Sequence, residues 1–225
     1  MNLEKIQTNR PLAPANERSD AQVMLATVFV SAVYATVRYN VFKGVNWSDW
    51  PHYIGNKILA VASLLLIALA VIRLASARRR PIRNLMVWAS GMALAHTLIS
   101  LALLDPVYFE KFYSGPRLTA QAGASLLIGA AALAVLQWGK GKPGTADPAR
   151  AAMTLGLLAF LSATHAAIPS TASWFDPFTW PGHMPPLTLV SFLAGAAALS
   201  AAMRVQRNFR PPCGSSPAFS EPKER

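Results

Sequence analysis

Apolar residues fall along this chain in six long blocks separated by short polar or aromatic stretches. Two of them, 84–104 and 118–138, run 21 residues each without a Lys, Arg, Asp or Glu. An α-helix rises about 1.5 Å per residue, so roughly 20 residues cross the ~30 Å hydrocarbon core of a bilayer. Four further blocks, 21–37, 54–77 (interrupted by Arg73), 151–169 and 187–203, approach the same pattern. None shows the polar face that the outer helices of a soluble bundle require. The pattern therefore predicts an all-α membrane protein, a bundle of six transmembrane helices. Residues 21–204 form the membrane domain, 1–20 an N-terminal segment and 205–225 a disordered tail.

Composition agrees, and charge sets the orientation. Of 225 residues, 53% are hydrophobic and 14% charged, yet the formal net charge is +11. With six spans, the segments on the side of the termini carry 16 of the 21 Lys and Arg. The opposite side carries the other five, Arg38, Lys43, Lys57, Lys111 and Arg117. Basic residues collect in cytoplasmic loops, so both termini are expected in the cytoplasm. The same rule accounts for Arg78, Arg79, Arg80 and Arg83 without nucleic acid, and it suggests a multi-pass protein of a bacterial-type inner (plasma) membrane. The single Cys213 has no intramolecular partner and is expected to be reduced and inert. The first 20 residues hold three acids and no signal-type apolar core, so no cleavable signal peptide is expected.

The three outer loops hold 13 of the 21 aromatic residues. An interfacial belt explains part of this excess. Its one-sidedness also fits loops folded into an apolar lid. Small residues four apart, Ser125 with Gly129 and Ser191 with Gly195, fit close helix packing in lipid.

Two histidines interrupt the apolar blocks. His96 lies 13 residues beyond Arg83 in the third block, and His165 lies 15 beyond Arg150 in the fifth. The third and fifth spans run in the same direction, which puts both rings at nearly one depth in the outer half of the bilayer. Ionisable groups in a membrane are costly enough to mark function, although a neutral imidazole also serves as a hydrogen-bond donor to a carbonyl. Structural zinc wants four protein ligands, so a lone metal ion is under-supplied unless His52 and His183 fold inward. Haem needs only axial ligands. Its propionates want cations near the water boundary, where Arg38 and Lys57 lie; snorkelling to the interface is the other role open to them.

Six spans with histidines on the third and fifth resemble the ferric reductase-like transmembrane family. This family includes the haem-binding membrane subunit of the periplasmic methionine sulfoxide reductase system and the six-span metalloreductases. The likeness runs through NKILAVASLLLIALAVIRL and RNLMVWASGMALAHTLISLALLDPVYFEKF and resumes from Leu155 through FDPFTWPGHMPP. It implies haem b with His96 and His165 as axial ligands of the iron. Many members carry a second histidine about 13 residues earlier on each helix, for an inner haem. Here those positions are Ile82 or Arg83 and Ala151 or Ala152, which cannot ligate iron. The resemblance therefore implies one outer haem.

Thirteen helical residues span roughly 20 Å, and the chain has no glycine-rich nucleotide fingerprint. Electrons are thus expected from a membrane quinol, with quinone a second candidate cofactor, or from a redox partner. They would leave to an acceptor on the outer face, by analogy a periplasmic partner. The alternative is a haem-free transporter or assembly factor in which the histidines are structural or form a pH-sensitive contact. A protein that handles haem without electron turnover would use the same ligands.

Overall fold

The computed structural model describes residues 15–76, 82–138 and 148–208. Arg78, Arg79, Arg80, Cys213 and most of the predicted terminal segments lie outside the described residues. Among the described residues six α-helices follow one another: α1 (Ala15–Thr36), α2 (Gly55–Ala75), α3 (Arg83–Ala102), α4 (Ala120–Trp138), α5 (Pro148–Ala167) and α6 (Leu187–Asn208). Each coincides with one predicted block. The domain limits differ: α1 begins six residues before position 21, and α6 continues four residues past 204.

Among the described residues four helical stretches are long and apolar enough to cross a membrane: Ser19–Phe42, Trp47–Ala75, Arg83–Ala102 and Pro181–Asn208. Within α4, Ala120–Leu136 is a shorter apolar helix, and α5 does not reach the same standard. Arg150, Thr154, Ser162, Thr164 and His165 dilute the apolar character of α5.

The bundle is apolar on the outside. On α1, Leu25, Phe29, Val30 and Val33 face outward, while Asp20, Thr27, Ser31 and Ala35 are buried at helical spacing, and Arg38 continues the buried face just past its end. Thr27 and Ser31 donate to the carbonyls four residues back, which satisfies their hydroxyls inside the helix. On this helix, large apolar side chains facing outward over a more polar buried face suit lipid as solvent. Helix α2 is central and packs on α1, α3, α5 and α6.

The closest packing joins α5 to α6. A Cβ on Gly195 would stand 2.7 Å from Ala163 Cβ and 2.8 Å from the Ala159 carbonyl. One on Gly156 would stand 2.6 Å from Ala202 Cβ. Removing both side chains lets the backbones approach, as expected for Ser191 and Gly195.

Arg73, an interruption in the second apolar block, has a buried partner. Its Nη1 lies 2.5 Å from Asp20 Oδ1, and Asn84 Nδ2 donates to Asp20 Oδ2 at 3.3 Å. This cluster ties α1, α2 and α3 together at one end of the bundle.

At the opposite end the chain departs from regular helix. π-Helical turns at Val37–Phe42 and Trp50–Ile54 close α1 and open α2. A two-residue hairpin, β1 (Tyr113–Ser114) with β2 (Arg117–Leu118), precedes α4. The loop before α6 lies against the end of α1 at three levels one turn apart. Tyr34 Oη donates to the Pro185 carbonyl at 2.7 Å, Arg38 Nη1 donates to the Met184 carbonyl, and Phe42 packs on Gly182. Gly182 has φ +59°, and a Cβ there would stand 2.4 Å from the Phe42 ring, so a side chain is excluded twice over. The indole of Trp50 donates to Thr36 on α1, that of Trp174 to Thr188 on α6 and that of Trp180 to the Ser173 carbonyl. Phe175 and Phe178 point outward, so the aromatic loops are only in part an inward-folded cover.

Candidate functional site

Asn56 is the first residue after Gly55 on α2, and its side chain is buried. Its Oδ1 lies 2.7 Å from His96 Nδ1, and its Nδ2 donates to Ser100 Oγ at 2.8 Å. Ser100 sits one turn beyond His96 on α3, 3.3 Å from the same Nδ1. With Asn56 Oδ1 as acceptor, the hydrogen of the neutral ring resides on Nδ1.

His165 is held in the same sense by different atoms. Its Nδ1 lies 2.5 Å from the Ser125 carbonyl on α4, and a carbonyl can only accept. Ser125 Oγ donates back to the His165 carbonyl at 2.8 Å. One turn along α4, Gly129 makes room for the ring: a Cβ there would stand 2.9 Å from Nδ1 and 3.0 Å from Cε1. The pair Ser125 and Gly129, expected to serve helix packing, is the seat of an imidazole.

Both rings thus donate through Nδ1. No hydrogen bond among the described residues engages either Nε2. The rings lie within electrostatic reach of each other. Helices α3 and α5 share no extended packing, and each lies against α2 and α4.

The two predicted cations divide. Lys57 on α2 is within electrostatic reach of His96, and its Nζ sits 4.1 Å from the Tyr53 ring centre and 5.0 Å from that of Tyr39. Arg38 is buried on the π-helical turn after α1, 5.9 Å from the Tyr39 ring centre. Tyr39 therefore joins Arg38 to Lys57, while among the described residues no hydrogen bond joins Arg38 to either histidine. Arg38 Nε is buried without an acceptor, and Asn40 Oδ1, two residues on, is buried without a donor. A buried guanidinium nitrogen without a partner is a costly arrangement that an anionic group would relieve.

His52 and His183 do not join the pair. His52 contacts Asp49 and Tyr108, and His183 is exposed in the loop before α6 with φ 55°. Among the described residues no group of three or more His, Cys, Asp or Glu side chains is placed to hold a metal ion.

The donor set fits haem b at the level of chemistry. Each imidazole has Nδ1 fixed by an acceptor, the outer contact that sets tautomer and ring orientation in metal-ligating histidines, and no hydrogen bond among the described residues engages its Nε2. Arg38 Nε is an unused donor for a carboxylate. Asn56, Ser100, Ser125 and Gly129 were not legible as parts of this site from the sequence. Only the spacing of Ser125 and Gly129 carried a signal, and it pointed to packing.

No protein-family model matches the chain, and no curated protein matches it either.

Proposed function

We propose that the chain is a six-span b-type cytochrome subunit that carries electrons through one haem between His96 and His165. The observation that supports this most is the matched hydrogen bonding of the two rings: Nδ1 is committed on both, and Nε2 is committed on neither. When bound, haem supplies a one-electron carrier. Asn56 and the Ser125 carbonyl hold the two imidazoles in the ligating tautomer. Gly129 lets His165 lie close on α4, and Arg38 and Lys57 offer positive charge to the propionates. The ferric reductase-like resemblance and cytoplasmic termini belong to the same proposal, as does the location in a bacterial inner membrane. So do electron entry from a quinol or redox partner and exit to an acceptor on the outer face.

A second reading has its own observation. Each ring already ties two helices, His96 to α2 and His165 to α4, as in a haem-free transporter or assembly factor with structural histidines. One experiment separates the two. Full-length protein purified from haem-replete cells should show a Soret peak and a sharp reduced-state α band. His96→Ala and His165→Ala should each lose both features while the protein remains helical by circular dichroism. Colourless wild-type protein overturns the cytochrome reading.

A further inference from the structure

Few basic residues lie at the end of the bundle opposite the termini: Arg38, Lys43, Lys57, Lys111 and Arg117. Four of the five come together. The Tyr39 ring centre is 5.0 Å from Lys57 Nζ, 5.8 Å from Lys43 Nζ and 5.9 Å from the guanidinium carbon of Arg38. Lys57 comes from α2, Arg38 from the π-helical turn after α1, and Lys43 from the residue that caps that turn. Lys111, in the loop between α3 and α4, is within electrostatic reach of Lys57.

Snorkelling alone would spread these cations apart, each toward its own water. Instead three of them converge on one ring, although like charges repel. The face of the tyrosine offsets part of that repulsion through cation–π contact. Acids do not: among the described residues none of the four cations forms an ion pair, Asp49 lies against His52, and Asp105 accepts from the Val107 amide. Arg38 adds a second, separate observation. Its side chain is buried, and its Nε, bonded to the carbon 5.9 Å from the Tyr39 ring centre, has no acceptor. Converging cations with a spare buried N–H are the donor arrangement of an oxyanion site.

We propose that the Tyr39 cluster binds a phosphate group at the membrane–water boundary, with Arg38, Lys43 and Lys57 in direct contact and Lys111 as a flanking charge. A phosphate carries its charge on several oxygens and accepts hydrogen bonds from several directions. That suits two ammonium groups and a guanidinium arriving from different elements. Lys43 and Lys111 are exposed, so the site opens toward the headgroup level, where phospholipid phosphates lie. Headgroup phosphate and free phosphate share this chemistry. The propionates of one haem would take up only part of the charge, and the site does not rest on the haem reading.

The test is the thermal unfolding midpoint of the full-length protein in neutral detergent, titrated with phosphatidylglycerol, phosphatidylcholine or inorganic phosphate. Phosphatidylglycerol should raise the midpoint saturably, and phosphatidylcholine, whose phosphate is neutralised by its own cation, should not. Lys43→Gln and Lys111→Gln should each weaken the apparent affinity about fivefold, the size of one basic residue at a membrane surface. Arg38→Lys keeps the charge but removes Nε, and should weaken it as well. Arg117→Gln removes the basic residue outside the cluster and should leave the affinity unchanged. A response to inorganic phosphate alone, with the same pattern of variants, identifies free phosphate as the occupant. A response to phosphatidylglycerol without one to inorganic phosphate identifies the lipid. Either supports the site. A loss in Arg117→Gln equal to that in Lys43→Gln would reduce the effect to general charge attraction and overturn it. An equal response to phosphatidylcholine, or none to either phosphate compound, overturns it too.

Discussion

A ring nitrogen decides what an intramembrane histidine can do. His96 and His165 both spend Nδ1 on an acceptor, one an amide oxygen and the other a main-chain carbonyl. The consequence is easiest to test at Gly129, where the nearest ring atom would be 2.9 Å from an added Cβ. Gly129→Ala should push the His165 ring from its seat at a cost of about 1–3 kcal/mol, as for other overpacked sites. The haem-to-protein ratio after detergent purification should fall. A variant that retains full pigment would argue that His165 is not held against α4 when haem is bound. Cation–π contacts of Lys57 with Tyr39 and Tyr53 act at the same scale. They hold Lys57 beside the site, and among the described residues it forms no ion pair.

At the scale of elements, contact between α5 and α6 depends on missing side chains. Gly195 and Gly156 each face a backbone or Cβ atom at less than 3.0 Å from an added carbon. Gly195→Ala should destabilise the bundle by roughly 1–3 kcal/mol in unfolding experiments in detergent. Gly91→Ala on α3 meets open space and should be neutral or stabilising by up to about 1 kcal/mol, since glycine is a poor helix former. Equal responses at the two positions would contradict the packing. The small-residue spacing was readable along the chain because close approach of helices in lipid needs it. Which partner each pair meets was not readable. Ser191 and Gly195 meet another helix, whereas Ser125 and Gly129 meet a histidine, and the spacing is the same.

Across the whole molecule, a large apolar surface faces out and a few buried polar groups tie helices together inside. The ion pair of Asp20 with Arg73 joins three helices at one end. Asp20→Asn would leave Arg73 charged without its counter-charge, at a cost of about 3–5 kcal/mol. Adding Arg73→Met should recover much of that loss, because the stranded charge is then gone. A single variant as stable as the double one would show that the pair carries no such burden. At the other end, the turn before α6 fastens onto Tyr34, Arg38 and Phe42 and so couples the first helix to the last.

The sequence by itself determined the helices: six blocks, their order and nearly their limits. Apolar length is a local property that lipid reads directly. It also singled out His96 and His165, because an imidazole in an apolar run stands out whatever surrounds it. Tertiary structure alone decided what touches those rings. Asn56, Ser125 and Gly129 are ordinary residues that gain meaning only from helices distant in the chain. It likewise decided that Arg73 is paired rather than exposed and that Arg38 Nε is left without an acceptor. Partners at long sequence separation depend on how helices pack. That packing is a sum of many weak contacts, which no single stretch of residues records.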